Sequence, residues 1–269
     1  MLSDQRLVSN HLEDVNALLL NLQIHALCVQ KRRQELDPAR LCFNLFHLIS
    51  DKYLKETFHS DILAALLDPH GAHGAGHAFL HAFIAWLRAI PKGCDLNGLD
   101  PQNFTNSKIE REIGWVDISV LDRDSKKAII IENKITGARD QPRQLPRYLD
   151  HVEGRNYEPV AIVYLTLNEP KLPVEDEEWK QPEDHERVHK IFISATAFNY
   201  DLPCLNGNFI PTCEQRTTNL DVLFVLRQYG ELIHDLGKNC MNETLMSKLC
   251  EEMTRTMVRR SQTLSPLLP

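Results

Sequence analysis

Residues 128–135 read AIIIENKI, and the fold turns on them. Three consecutive isoleucines after Ala128 have the composition of a strand covered on both faces. Glu132, Asn133 and Lys134 follow at once, and Ile135 closes the run. A carboxylate and an ammonium at the end of a core strand cost desolvation energy unless something pairs with them. The stretch therefore predicts a central strand whose last residues serve a site.

Working outward, KIEREI (108–113) and WVDISVL (115–121) alternate apolar and polar residues with period 2, as half-buried strands do. DRDSKK (122–127) is a turn. Centred on Asp124-Ser125, that turn pairs residues whose numbers sum to about 249, which sets Asp117 opposite Glu132. Strand alternation places Lys134 on the face of Glu132 and turns the Asn133 side chain to the other. Two carboxylates and a lysine thus converge from neighbouring strands. Adjacent carboxylates repel, and one is driven neutral unless a cation sits between them. Hard oxygen donors with no cysteine nearby favour magnesium or manganese over zinc. A metal so held polarises a phosphoryl oxygen and lowers the pKa of bound water. A lysine beside it orients that water and stabilises charge developing on phosphorus. The pattern Asp117-x14-Glu132-x-Lys134 points to phosphodiester hydrolysis.

The flanks are helical. Residues 5–33 carry apolar positions at helical spacing, and Asp37-Pro38 is a helix start leading into LCFNLFHLI (41–49). Further helices are expected near 55–68, ending at Pro69, and over 77–90. ARDQPRQLPRYLDHV (138–152) reads as a helix that Pro146 kinks or restarts, so Gln144 and Tyr148 are not expected to share one regular face. PVAIVYLTL (159–167) and VHKIFISA (188–195) are strands separated by an acidic, proline-bearing loop, and 199–218 reads as an irregular insertion. Residues 220–237 and 241–259 are helical. The expected class is α/β: a mixed central sheet flanked by helices, with N- and C-terminal helical extensions. We expect a single domain over 1–269, with an N-terminal helical extension at 1–50, the core at 51–198, and the insertion and C-terminal helices at 199–260.

Composition narrows the functional classes. The 269 residues carry a formal net charge of −7, so a polyanion partner requires a local positive groove rather than bulk charge. The seven cysteines form no CxxC pair, which fits a reducing cytoplasm better than a disulfide framework or a zinc ribbon. The first residues show no apolar signal-peptide core, and no run approaches the length of a membrane span. The expectation is a cytoplasmic protein with no membrane partner. HGAHGAG (70–76) is followed by no GK[ST], which argues against a nucleotide-binding loop.

Asp-x(n)-Glu-x-Lys on a β-hairpin resembles the PD-(D/E)XK nuclease superfamily, the restriction-endonuclease-like fold. Gln144-Leu-Pro-Arg-Tyr148 is similar to the QxxxY motif of its RecB-like members. ETFHSDILAALLDPHGAHGAGHAFL (56–80) resembles a bacterial branch with E…HS…LLDP…HG…FL, followed later by IENKI and QLxRY. The likeness spans roughly residues 40–167. It implies that Asp117 and Glu132 bind metal, that Lys134 is catalytic, and that Glu56 completes the metal shell. Asn133 would add its backbone carbonyl. Gln144 and Tyr148 match positions that contact the substrate strand or support the active site. The implied activity is Mg²⁺- or Mn²⁺-dependent cleavage of nucleic acid, DNA first, leaving 5′-phosphate ends. A bacterial defence or DNA-processing role and a homodimer fit the same likeness. The rival class is a catalytically silent scaffold or binding module that keeps the fold.

Other residues have two readings. Arg139, Arg143 and Arg147 recur every four residues; on a helix they form a basic stripe for substrate phosphates, or else a solvated face paired with Asp140 and Asp150. Glu110 and Glu112 share strand parity; either reaches a metal or, the preferred reading, both belong to a solvated strand face. His77 and His81 lack the glutamate of a zincin motif and read as partly buried helix residues. His73, in the glycine-rich loop, is the histidine expected nearest the cleft.

Overall fold

The computed structural model describes residues 44–90, 96, 98–168, 188–197 and 203–239. The chain divides into two compact units, residues 1–44 and 45–269, and the second carries the elements described below. The helix expected over 5–33, the Asp37-Pro38 start, the helix over 241–259 and most of the acidic loop (169–187) lie outside the described residues.

Three helices come first: α1 (Leu45–Ile49), α2 (Glu56–Leu67) and α3 (Ala78–Ala89). A meander follows, of β1 (Ser107–Arg111), β2 (Ile118–Asp122) and β3 (Lys127–Lys134). Next are α4 (Gln144–Glu153), β4 (Glu158–Thr166), β5 (His189–Ser194), α5 (Ile210–Gln215) and a helix α6 through 220–239. The strands form one sheet in the order β1-β2-β3-β4-β5. β1, β2 and β3 pair antiparallel, whereas β4 pairs parallel to both β3 and β5. This is the expected mixed α/β sheet.

The isoleucine run is central. β3 is flanked on both edges, and every residue from Ala128 to Lys134 is buried. Alternation divides it between two cores. Ile129 and Ile131 pack with α2, α3 and α6, through residues such as Leu63, Phe83 and Leu232. Ala128 and Ile130 pack under α4, against Leu145, Tyr148 and Leu149. Fully burying each isoleucine is worth roughly 1.5–3 kcal/mol, so the run together offsets the several kcal/mol that one poorly compensated buried ion costs. The strand has the stability to hold an expensive end.

Three expectations change. WVDISVL becomes a strand only at Ile118, because Glu112, Gly114 and Trp115 adopt left-handed backbone around a 3₁₀ turn at Ile113–Trp115. The helix expected from 138 begins at Gln144 instead, after an Arg143 with φ of 50°. Pro146 then occupies the third helical position, where its missing N–H would have had no intrahelical partner. No kink results, and Gln144 and Tyr148 share a face after all. Residues 204–215, read as irregular, are ordered: Cys204 bridges Ser194, and a π-helical turn at Leu205–Phe209 runs into α5. Leu205, Phe209, Ile210 and Cys213 are buried at helical spacing, and the Phe209 ring meets Phe83 and Trp86 of α3.

Candidate active site

The register of the hairpin is the one the turn arithmetic requires. Ile118 pairs with Ile131 and Ser119 with Ile130, so Asp117 lies one step beyond the ladder, toward Glu132. The carboxylate of Asp117 accepts a hydrogen bond of 2.7 Å from the Asn133 backbone N–H. Nη1 of Arg111 donates to the Asp117 backbone oxygen (2.6 Å), while its Nε and Nη2 reach Asp61 on α2. Asp117 is therefore held at both its carboxylate and its backbone oxygen.

Glu132 is 1% exposed. Its Oε1 accepts from Gln144 Nε2 (2.7 Å) and lies 2.7 Å from Lys134 Nζ. Among the described residues its Oε2 is buried with no hydrogen-bond partner, although the Asp117 carboxyl and the Tyr148 hydroxyl stand near the Glu132 carboxylate. An orphaned carboxylate oxygen inside a protein is costly, and such groups normally find a donor or a cation. Burial first, and the Asp117 charge second, push the Glu132 carboxyl up to about 8. Burial also raises Asp117 and Glu56, against the opposing pull of Lys134 and of backbone N–H groups. Three carboxyl groups held above their ordinary range around one lysine form an electrostatically incomplete site.

Lys134 is nearly enclosed. Burial disfavours its charge, but Glu132, Glu56 and Asp140 together outweigh that effect and lift its pKa above the ordinary lysine value. Gln144 Oε1 accepts from Nζ at 3.3 Å, and Asp140 Oδ1 stands 3.9 Å away. Asp140 is itself held by the Tyr164 hydroxyl, which donates to it at 2.6 Å. Tyr164 lies on β4 directly across from Glu132.

Gln144 is the connector of this arrangement. Its Oε1 accepts from Lys134 and from the Gln141 backbone N–H; its Nε2 donates to Glu132 and to the Tyr148 hydroxyl, both at 2.7 Å. At 8% and 2% exposed, Gln144 and Tyr148 lie beneath the carboxylate.

Glu56 reaches the site through Asn133. The Asn133 Nδ2 donates to the Glu56 backbone oxygen (3.0 Å) and to Ser60 Oγ (2.9 Å), fastening the start of α2 to the end of β3. The Glu56 carboxylate accepts from the Ala138 N–H at 3.1 Å. Among the described residues no three His, Cys, Asp or Glu side chains gather closely enough to hold a metal ion. A cation here would rest on Asp117 and Glu132, with remaining positions taken by water, backbone carbonyl or substrate oxygen. That donor set suits a hard divalent cation, which binds through carboxylates, phosphate and water.

Several expected residues fall elsewhere. Arg139 and Arg143 precede α4, so the three arginines form no helical stripe; all three are exposed around the turn entering α4, with Arg147 reaching Gln141 Oε1. Glu110 is buried rather than solvated: Arg155 grips it with bonds of 2.6 and 3.0 Å, and Lys108 adds a third at 2.9 Å. The Arg155 hydrogen bonds chiefly hold its carboxyl down at about 2. Glu112 is exposed, outside the strand. His73 does not reach the cleft; its two ring nitrogens bond the Asp68 oxygen and the Ala75 N–H, stapling its own loop. His81 bonds the Phe104 oxygen.

Arg111, Ser60 and Tyr164 were not singled out from the sequence, and Asp140, expected to pair with arginine, stands near Lys134 and bonds Tyr164. Each acts through a partner distant along the chain, and no local periodicity marks such a pair. The histidine before Ser60 is structural: His59 is buried, with its ring nitrogens near the Tyr53 oxygen and the Tyr229 hydroxyl.

The model of the PD-(D/E)XK nuclease superfamily matches residues 43–249. The chain belongs to that superfamily. No curated protein and no solved structure matches it. Nuclease chemistry, divalent metal use and a nucleic-acid substrate are the general properties of the family.

Proposed function

We propose that the protein is a Mg²⁺- or Mn²⁺-dependent nuclease that hydrolyses phosphodiester bonds of DNA, with Asp117, Glu132 and Lys134 as its catalytic residues. The observation that carries this reading is the orphaned Glu132 Oε2, buried beside a second carboxylate whose pKa is also raised. Asp117 and Glu132 would hold the ion, with the Asn133 carbonyl as a further ligand; Glu56 would join them only by moving its carboxylate from the Ala138 N–H toward the pair. When bound, the ion supplies Lewis-acid polarisation of the phosphoryl oxygen and a more acidic water.

The chain's own groups do the rest. Lys134, held by hydrogen bonds to Glu132 and Gln144 and by the Asp140 charge, offers its remaining N–H to the attacking water or to the negative charge growing on phosphorus. Gln144 keeps Glu132 and Lys134 in one geometry, with Tyr148 packed beneath it. Arg139, Arg143 and Arg147 lie exposed around the turn entering α4 and would contact phosphates without reading sequence. Cleavage leaves a 5′-phosphate. We place it in a bacterial, cytoplasmic role in defence or DNA processing, where the −7 charge requires local cations to hold the substrate, and pairing of two copies would let a single-site enzyme cut both strands.

Incubation of plasmid and linear DNA with Mg²⁺, Mn²⁺ or chelator tests the reading. Cleavage with either metal and none with chelator is the expected result. Failure to cut with any metal, combined with tight binding of a protein partner, would establish the scaffold reading instead.

A further inference from the structure

Immediately before Asp117 the chain makes an unusual excursion. Glu112, Gly114 and Trp115 have φ of 56°, 66° and 68°. An aromatic residue in left-handed backbone is a genuine outlier, and such strain concentrates at functional sites. Trp115 is also 84% exposed. Scattered exposed apolar residues are ordinary, but this indole is displayed against both its solvent preference and its backbone preference.

The display is built. A Cβ at Gly114 would collide with the His151 ring of α4, so glycine lets the loop press onto that helix. Val116 is wholly buried in the core beneath α4, and Arg111 ties the backbone of Asp117. Two residues span at most about 7 Å, so the backbone that carries the indole lies within about one nucleotide step of the Asp117 backbone.

We propose that Trp115 is a stacking platform for an unpaired base next to the scissile phosphate, so that the preferred substrate is single-stranded or locally unpaired. The proposal rests on the nuclease reading for the word scissile. A base inside a duplex has both faces covered by its neighbours, and only an unpaired or terminal base offers a face to the indole. Stacking on an aromatic side chain tolerates any base. A protein partner is the weaker occupant: one tryptophan side chain offers roughly 150–250 Å², far below the roughly 1,200 Å² of a stable interface.

The test is binding, in chelator, of a short fluorescein-labelled oligothymidylate and of a blunt duplex by wild type, Trp115→Ala and Trp115→Phe. Trp115→Ala weakens oligothymidylate binding roughly 5- to 150-fold, Trp115→Phe retains most of it, and duplex binding is unchanged. The oligothymidylate quenches the tryptophan fluorescence of wild type but not that of Trp115→Phe. Oligothymidylate binding by Trp115→Ala equal to wild type overturns the proposal, as does a loss of self-association in that variant with unaltered binding. If wild type binds and is quenched but cuts nothing with Mg²⁺ or Mn²⁺, the nuclease reading fails and the stacking site stands. If wild type cuts and Trp115→Ala cuts single strands equally well, the stacking site alone fails.

Discussion

At the scale of single residues, Glu132 concentrates the tension of the molecule. Its Oε1 is shared by Lys134 and Gln144, and its Oε2 has no partner among the described residues. Gln144→Ala removes the donor to Oε1 and the bridge to Tyr148, and supporting residues of this kind typically contribute 10- to 100-fold. The expected outcome is a fall in kcat of about that size with little change in KM, read from steady-state cleavage kinetics. Strand parity and one turn suffice to bring Asp117, Glu132 and Lys134 together, because a two-residue period projects reliably over so short a hairpin. The contacts that fix them were not legible. Arg111 on Asp61, Asn133 on Ser60 and Tyr164 on Asp140 join residues across tertiary packing, and nothing in one segment announces its partner in another.

At the scale of elements, two fastenings decide whether the site is rigid. Asn133 joins β3 to α2 through the Glu56 oxygen and Ser60. Asn133→Ala removes the donor to both acceptors and the acceptor of the Ile135 N–H, and it should destabilise the fold by about 1–3 kcal/mol in urea unfolding. Glu110 with Arg155 joins β1 to the end of α4. The folded carboxyl titrates at about 2 against an ordinary 4.5. A depressed carboxylate stabilises above its unfolded pKa, so this contribution is present at neutral pH and is lost as pH falls from about 4.5 toward 2. Urea midpoints across that window should drop more steeply for wild type than for Glu110→Gln, and parallel slopes would deny the pair its role. The α4 start shows why an element boundary is hard to read from sequence: two prolines suggest a broken helix, whereas a start at Gln144 makes Pro146 harmless. The strands of the sheet were readable because β3 and β4 are continuous apolar runs. The 204–215 segment was not, since its buried residues are separated by polar ones and by Gly207.

At the scale of the whole molecule, a net charge of −7 must coexist with a polyanionic substrate. Binding should therefore depend on a few local cations rather than on the general field. Neutralising Arg139 or Arg147 should weaken DNA binding and reduce the slope of log K against log salt by about 1 for each phosphate no longer neutralised. An unchanged slope would return those arginines to the solvent. The sheet places Asp117 at the start of β2 and Glu132 and Lys134 at the end of β3, so the site lies along one end of the sheet, where α2 and the turn into α4 also meet. The most direct measurement is metal-dependent cleavage of DNA by wild type, Glu132→Gln and Lys134→Ala, with circular dichroism confirming that each variant is folded. The account predicts cleavage by wild type with Mg²⁺ or Mn²⁺, none with chelator, and a loss of at least about 10²- to 10³-fold in both folded variants. Cleavage by either folded variant at the wild-type rate would contradict it.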